Sequence, residues 1–301
     1  MARKKFITTK ELFNGFSDSQ IQELMKNMTI FMPMDGCPSP CGICALQAKK
    51  TVNYVMDFSL IKHLYSNFSE DFNNNHPNEH ANDQLAYRGE NKEDFSDVLE
   101  LQRDFLNYYP RVWTGFPSRA GSVLKKILEM RFVSENHPGE TLDSQLVIPA
   151  ISRNLTNRKL VDRYTAELEG SDRFVEKRNN QEPGKIDSTS YFLRTRRGIR
   201  ELKVREIIAV AVGSAKKYQD NPEISKGGAY QIQSYPGVAV LPTGFYEYRG
   251  GLDCGYKGIL KRKITPEHFD VPKIRNLLTY LYRDSKTGEV LHLPMSRGAY
   301  K

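Results

Sequence analysis

The sequence predicts an α/β protein built on a largely parallel sheet. Short apolar runs at 28–34, 84–87, 111–116 and 145–151 alternate with amphipathic stretches at 57–72, 94–109, 117–130 and 157–168. That alternation is the signature of βαβ units. Most of the runs are continuously apolar, as strands covered on both faces are. With 301 residues and 39% hydrophobic side chains, the chain can bury roughly three quarters of its unfolded surface. Collagen-like, low-complexity and fully disordered architectures are excluded.

Residues 9–28 read as helix, with Leu12, Phe13, Phe16, Ile21, Leu24, Met25 and Met28 as its apolar positions. Asn14-Gly15 and Ser17-Asp18 divide it into two short pieces. Residues 28–34 read as a buried strand that ends in Asp35-Gly36 and leads into a cysteine loop. Leu60, Ile61, Leu64, Tyr65 and Phe68 place a helix over 57–72, and an Asn-rich polar loop follows over 71–83. A strand at 84–87, a helix over 94–109, a strand at 111–116 and a helix to Met130 come next, then a strand over 145–151 and a helix over 157–168. Residues 171–190 are polar and read as a surface loop, 193–206 are Arg-rich, and 206–212 form a β-type run. Further on, 237–241 reads as an apolar strand closed by Pro242-Thr243-Gly244, and Ile274, Leu277, Leu278 and Leu281 recur at helical spacing in 272–283. There is no solenoid-type repeat.

Lys and Arg number 44 against 36 Asp and Glu, a net charge of +8. A basic surface suits nucleic acid, a phosphorylated substrate or an acidic partner. No run approaches the roughly 18 apolar residues that span a bilayer, and the basic N-terminus leads into no apolar signal region. The expectation is a cytoplasmic protein without a membrane partner.

Three of the four cysteines fall in one bend, Cys37-Pro38-Ser39-Pro40-Cys41-Gly42-Ile43-Cys44. A tight cluster in a chain without export signals points to metal more than to disulfides. Thiolates are soft ligands for zinc, copper(I) or iron–sulfur clusters, and the intervening Pro and Gly keep the bend from becoming helix. Zinc would need a fourth ligand, for which Cys254, His63, His76 and His80 are candidates. A four-iron cluster held by three thiolates keeps one iron open, as a catalyst requires.

The spacing C-x₃-C-x₂-C, directly after the first strand of a β/α chain, resembles the cluster motif of the radical S-adenosylmethionine superfamily. That resemblance implies a partial parallel (β/α)6-type barrel over 28–215, an N-terminal helical extension over 1–27, and a C-terminal extension over 216–301 that covers the barrel or binds substrate. It implies that Cys37, Cys41 and Cys44 hold a [4Fe–4S] cluster whose open iron is chelated by S-adenosylmethionine, with Ile43 near the adenine. Asp83-Gln84-Leu85-Ala86-Tyr87-Arg88-Gly89-Glu90 is similar to the family's second-strand segment, whose Gly-Glu end, here Gly89 and Glu90, binds the cofactor's amino group. Arg88 stands where the family has a first glycine. Ser152 and Asn154 match a polar position that contacts the ribose or carboxylate, and 237–240 matches a later strand beside the adenine. The activity implied is reductive cleavage of S-adenosylmethionine to a 5′-deoxyadenosyl radical that abstracts hydrogen, fed by a reductant such as flavodoxin or ferredoxin.

Two basic–aromatic patches bear on the substrate. Arg194, Arg196, Arg197, Arg200, Lys203 and Arg205 accompany Tyr191 and Phe192, and Lys261, Arg262 and Lys263 follow Tyr256-Lys257. They read as phosphate contacts with aromatics for base stacking, or as ordinary solvated faces. A nucleic acid or nucleotide is therefore one substrate class and a peptide or small metabolite another; a non-enzymatic zinc or iron–sulfur binding module is the reading outside catalysis. Trp113 reads as core and Cys254 as an incidental thiol in a Gly-rich loop. No H-E-x-x-H, Walker, G-x-S-x-G or kinase signature occurs.

Overall fold

A computed structural model of the chain describes residues 4–38, 51–77, 83–106, 112–130, 150–152, 158–180, 188–196, 198–205, 230–232, 237–248, 260–273, 277–283 and 290–296. The chain opens with β1 (Lys5–Ile7), α1 (Thr9–Leu12), α2 (Asp18–Lys26) and β2 (Met28–Phe31). Both helices begin in capping boxes, Thr8 with Glu11 and Ser17 with Gln20, in which side chains satisfy the amide groups that a first turn leaves open. β3 (Tyr54–Met56), α3 (Phe58–Asn67) and α4 (Ser69–Asn75) follow. The single helix expected over 57–72 is thus two, divided at Phe68, and the second runs into the region expected to be loop. Phe68 and Phe72 are both buried, so the break turns the second apolar stripe back onto the core.

α5 (Phe95–Phe105), β4 (Trp113–Thr114), α6 (Ala120–Glu129), β5 (Ala150–Ser152) and α7 (Arg158–Glu169) carry the β/α alternation. Beyond them come β6 (Phe174–Asn180), β7 (Ser188–Thr195), β8 (Gly198–Arg205), β9 (Tyr230–Ile232), β10 (Gly237–Leu241), β11 (Gly244–Tyr248), β12 (Leu260–Ile264), β13 (Leu277–Arg283) and β14 (Val290–Ser296).

Among the described residues the strands form four sheets, β1-β3, β12-β11-β10-β2, β14-β13-β9 and β4-β5-β8-β7-β6, and none closes into a barrel. The β/α strands do run parallel: β4 with β5, β5 with β8, β2 with β10 and β1 with β3. The later strands add antiparallel pairs, so the architecture is mixed α/β. A Cβ on Gly237 would lie 2.6 Å from the Asn27 carbonyl oxygen; only glycine lets β10 approach the start of β2 this closely.

Three local expectations are corrected. The 84–87 strand is a short 3₁₀ turn over Gln84–Ala86, because Asp83 and Gln84 carbonyls accept from the Ala86 and Tyr87 amides within the segment. In place of the 171–190 loop the described residues hold β6 and the start of β7, paired antiparallel; just beyond, Tyr191 and Leu193 of β7 alternate inward and meet Leu202 and Val204 of β8 in the core. The helical spacing in 272–283 gives way, over its described part, to strand β13, which pairs antiparallel with both β14 and β9. The runs at 145–149 and 206–212 lie outside the described residues.

One hydrophobic cluster spans Ile7 to Val271. Tyr65 stands edge-on to Phe72 at 4.8 Å, Phe31 to Phe72 at 5.2 Å, and Phe13 stacks on Phe245 at 5.9 Å. On the opposite face of β2 and β10, Ile30, Met32, Ala239, Leu241 and Tyr248 form a second, smaller cluster. β2, buried at every position, is a fixed base for the loop that leaves it.

Candidate functional site

Three chain segments meet where β2 ends. The first is the exit of β2 itself. Pro33 O accepts from the Met56 amide at 2.8 Å and the Asp35 amide donates to Tyr54 O at 3.0 Å, which sews this exit to β3. Gly36, at φ 110°, then turns the chain into the half-buried Cys37. Cys37 Sγ accepts a hydrogen bond from the Asp83 amide at 3.2 Å. Such a contact stabilises a thiolate and orients it.

The second segment begins at Asp83. Its buried carboxylate accepts from Thr114 Oγ1 at 2.9 Å and from the Gly115 amide at 2.7 Å, while Thr114 Oγ1 accepts from the Phe116 amide at 2.8 Å. The cysteine bend is thereby linked through one residue to the third segment, the loop leaving β4. Phe116 at φ 59° and Arg119 at φ 75° both adopt left-handed backbone in that loop. Non-glycine residues hold such geometry only where their surroundings over-determine it.

Further along the second segment, the Tyr87 hydroxyl donates to Met56 O at 3.1 Å. Burial, and then the carboxylates of Glu93, Asp57 and Asp97, keep this phenol protonated far above its ordinary range. Arg88 bridges to Asp94 in a tight turn closed by the Gly89 amide donating to Glu93 O at 2.9 Å. A Cβ on Gly89 would meet the flexible Glu93 carboxylate end and lie 3.2 Å from Glu93 Cβ, so a larger residue here would push the Glu93 side chain aside. Glu90 projects into solvent at its tip, and its carboxylate makes no ion pair or hydrogen bond among the described residues. Arg88 is held below its ordinary pKa by burial and by Arg119, against the opposing pull of Asp94; Lys4 is lowered by burial and by Arg88.

Gln84 is the outlier of the site. It is 2% exposed, yet neither its Nε2 nor its Oε1 has a hydrogen-bond partner among the described residues. An unpaired buried amide costs about 1–3 kcal/mol, and native structures reserve such groups for an absent partner or a functional role.

No protein-family model, curated protein or solved structure matches this chain.

Of the residues expected from sequence, Cys37, Gly89 and Glu90 lie on segments that the structure joins through Asp83. Cys41, Ile43, Cys44, Asn154 and Cys254 lie outside the described residues. Ser152 ends β5, one position past the Thr114↔Ile151 pair and opposite Arg205 of β8; it is therefore at the carboxyl end of the parallel strands, where α/β folds build sites. The 237–240 strand is β10, directly beside β2.

Among the described residues no group of three or more His, Cys, Asp or Glu side chains stands close enough to hold a metal; of the three clustered thiols, Cys37 alone is within that set. Described around the bend are one sulfur accepting an N–H, an exposed carboxylate at the tip of the Gly89 turn, and a buried amide without a partner among the described residues.

Sequence reasoning missed Asp83, Gln84 and Thr114 as site residues. Asp83 joins positions 46 and 31 residues away, a pairing no local pattern encodes. Of the proposed base stackers, Tyr191 is 1% exposed and belongs to the core, and Phe192 is covered by the Arg178 guanidinium at 4.7 Å. The Tyr191 ring is therefore closed to a base, whereas Phe192 is half-buried with one face under Arg178.

Proposed function

We propose that this chain is a radical S-adenosylmethionine enzyme, with Cys37, Cys41 and Cys44 as ligands of a [4Fe–4S] cluster. The observation that carries the reading is the Asp83 amide on Cys37 Sγ. It joins the cysteine bend to the Gly89–Glu90 segment, the two stretches whose sequences independently resemble that family. When bound, cluster and cofactor supply one-electron cleavage of the sulfonium and a carbon radical able to abstract hydrogen from an unactivated C–H bond. The protein's part is to bind, orient and exclude. Glu90 offers an exposed carboxylate to the cofactor's ammonium, Gln84 offers one donor and one acceptor, and Ser152 stands at the strand ends for ribose or carboxylate, with Asn154 and Ile43 as further cofactor contacts. Asp83 acts through its neighbours, holding Cys37 and the β4 exit in one arrangement.

A reductant such as flavodoxin or ferredoxin would deliver the electron, and a reducing compartment such as the cytoplasm would keep the thiols free for iron. The net charge of +8 favours a nucleic acid or nucleotide as substrate over a peptide or small metabolite.

The test is anaerobic reconstitution with iron and sulfide, metal analysis, dithionite reduction and chromatography for 5′-deoxyadenosine. The expected result is about four irons per chain and deoxyadenosine that disappears in Cys41→Ala. One zinc per chain without iron, the result for a metal-stabilised binding module, overturns the reading.

A further inference from the structure

We infer that the groove between α6 and the start of β6 binds the sugar–phosphate backbone of a nucleic acid. A cavity of about 480 Å³ is lined there by Ser122, Lys125, Lys126, Glu129, Arg173 and Arg196. Positions 122, 125, 126 and 129 fall on one stripe of α6, the i, i+3, i+4, i+7 pattern of a single helix face. The opposite stripe of α6, Val123, Leu124, Ile127 and Leu128, is buried in the core. Arg173, just before β6, and Arg196, just after β7, form the other wall, and the Arg194 amide donates to Arg173 O at 2.7 Å to hold them together.

The only carboxylate among the described lining residues is spent on construction. Glu129 Oε1 accepts from the Arg173 guanidinium at 2.7 Å and Oε2 from the Arg196 amide at 3.0 Å, tying the hairpin to the helix. Lys126 is engaged with Asp94 at 2.7 Å. The exposed Lys125 ammonium and Arg196 guanidinium have no acidic partner among the described residues. Of the four cations lining this groove, two thus have no acidic partner among the described residues, while its walls are fixed by internal ion pairs, with exposed Arg194 close to Arg196 in sequence.

Charge and composition select the partner. Protein interfaces centre on aromatic and aliphatic side chains and are depleted of charge; the described residues lining this groove all carry polar or charged head groups, and their aliphatic stems supply the apolar part of its surface. Membrane anchoring needs a substantial apolar face, and here Ile199, 60% exposed beside Arg194 near the neighbouring β7–β8 turn, and Val175, exposed at the start of β6, are the large apolar side chains in reach, too few for such a face. Polar, cationic surfaces with scattered aliphatic tips are what nucleic-acid interfaces present. The bound backbone requires neither cluster nor cofactor, so the inference goes beyond the proposed chemistry and is tested apart from it.

The experiment is fluorescence anisotropy on the full chain with a labelled single-stranded RNA of about 20 nucleotides, the matching DNA and the DNA duplex, each over a salt series. Log affinity should fall linearly with log salt for at least one probe, and the three arms identify which backbone is preferred. Lys125→Glu with Arg196→Glu should weaken binding at least about tenfold at moderate salt and make the slope shallower by about 1.5, the share of two phosphates that no longer have a cation. Lys10→Glu with Lys62→Glu, exposed lysines on α1 and α3, removes the same charge elsewhere and should leave both nearly unchanged. Matching thermal midpoints confirm that all chains are folded, and Lys125→Gln with Arg196→Gln supplies a milder pair. Absence of salt-sensitive binding to every probe overturns the inference, as does an equal drop in affinity for the control pair or poly-glutamate competing as well as RNA at equal charge. A negative here leaves the iron analysis standing, and zinc there leaves this binding standing.

Discussion

Gln84 and Asp83 are adjacent and buried, and their energetics run in opposite directions. Asp83 is fully used: its amide donates to Cys37 Sγ while its carboxylate accepts from Thr114 and Gly115. Gln84 has no partner among the described residues, with donor and acceptor both sealed from water. Replacing an unpaired buried amide by an apolar group of similar volume removes a desolvation cost. Gln84→Leu should therefore stabilise the ligand-free chain by about 1–3 kcal/mol, a rise of a few degrees in thermal midpoint. The same change should weaken S-adenosylmethionine binding, read by calorimetry on the reconstituted protein. Gain of stability with loss of affinity is the mark of a side chain kept for a ligand. A lowered midpoint would mean the amide already has a protein partner. The contrast also shows what sequence can carry at this scale. Cys37, Gly89 and Glu90 were legible because their chemistry lies in short local patterns. Asp83 and Gln84 were not, because one is defined by partners distant in the chain and the other by having none among the described residues.

At the scale of elements, α5 and α6 are joined by an electrostatic clamp. Asp94 caps α5, its side chain accepting from the Ser96 amide and hydroxyl, and it receives Lys126 of α6 at 2.7 Å. Burial acts to raise the Asp94 pKa, but the Lys126 contact and the two Ser96 bonds outweigh it, and the carboxyl titrates below the ordinary aspartate range. A folded-state pKa below the unfolded one gives stability that is complete above the unfolded value, about 3.9, and is lost as pH falls through the folded one. Lys126 is more than half exposed, so solvent screening limits its share to about 0.5–1 kcal/mol. Lys126→Met should lower the urea midpoint correspondingly at about pH 7, and the difference from the parent chain should shrink as pH falls below about 3.9 and Asp94 takes up its proton in the folded chain. A difference that persists in acid would assign the loss to packing. Elements of this kind were largely readable: α1, α2, α5, α6 and α7 follow helical periodicity, and β2 and β10 follow their apolar runs. The β6–β7 hairpin and β13 were not. In the first, Glu176, Lys177, Arg178, Asn179 and Asn180 make β6 read as polar loop until it pairs with β7; in the second, the helical spacing of Ile274, Leu277, Leu278 and Leu281 is overridden by pairing with β9 and β14.

For the whole molecule, the question is whether residues 28–215 form a self-sufficient body flanked by two extensions. β2 carries the cysteine bend, and its strand neighbour among the described residues is β10, beyond residue 215. Val238, Val240, Phe245 and Ile264 from that later part share one core with Ile7 and Leu12 from the first elements and with Val55, Leu64 and Leu99 between them. Phe13 of the N-terminal part stacks on Phe245, Gln20 donates to Pro266 O at 3.2 Å, and Lys273 pairs with Glu23. The two ends of the chain therefore hold each other as well as the middle. Each fully buried large apolar side chain contributes roughly 1.5–3 kcal/mol, and a domain's net stability is only about 5–15 kcal/mol. Losing the four core residues named after position 215 would consume most of that margin and open the edge of β2 next to Cys37. A chain ending at residue 215 should accordingly show no cooperative urea transition and retain no iron after reconstitution, whereas the complete chain should unfold in one transition seen alike by near- and far-ultraviolet circular dichroism. If the shortened chain keeps a sharp transition and its iron, the middle segment stands alone, and the contacts between the two ends are an outer layer on an independent core.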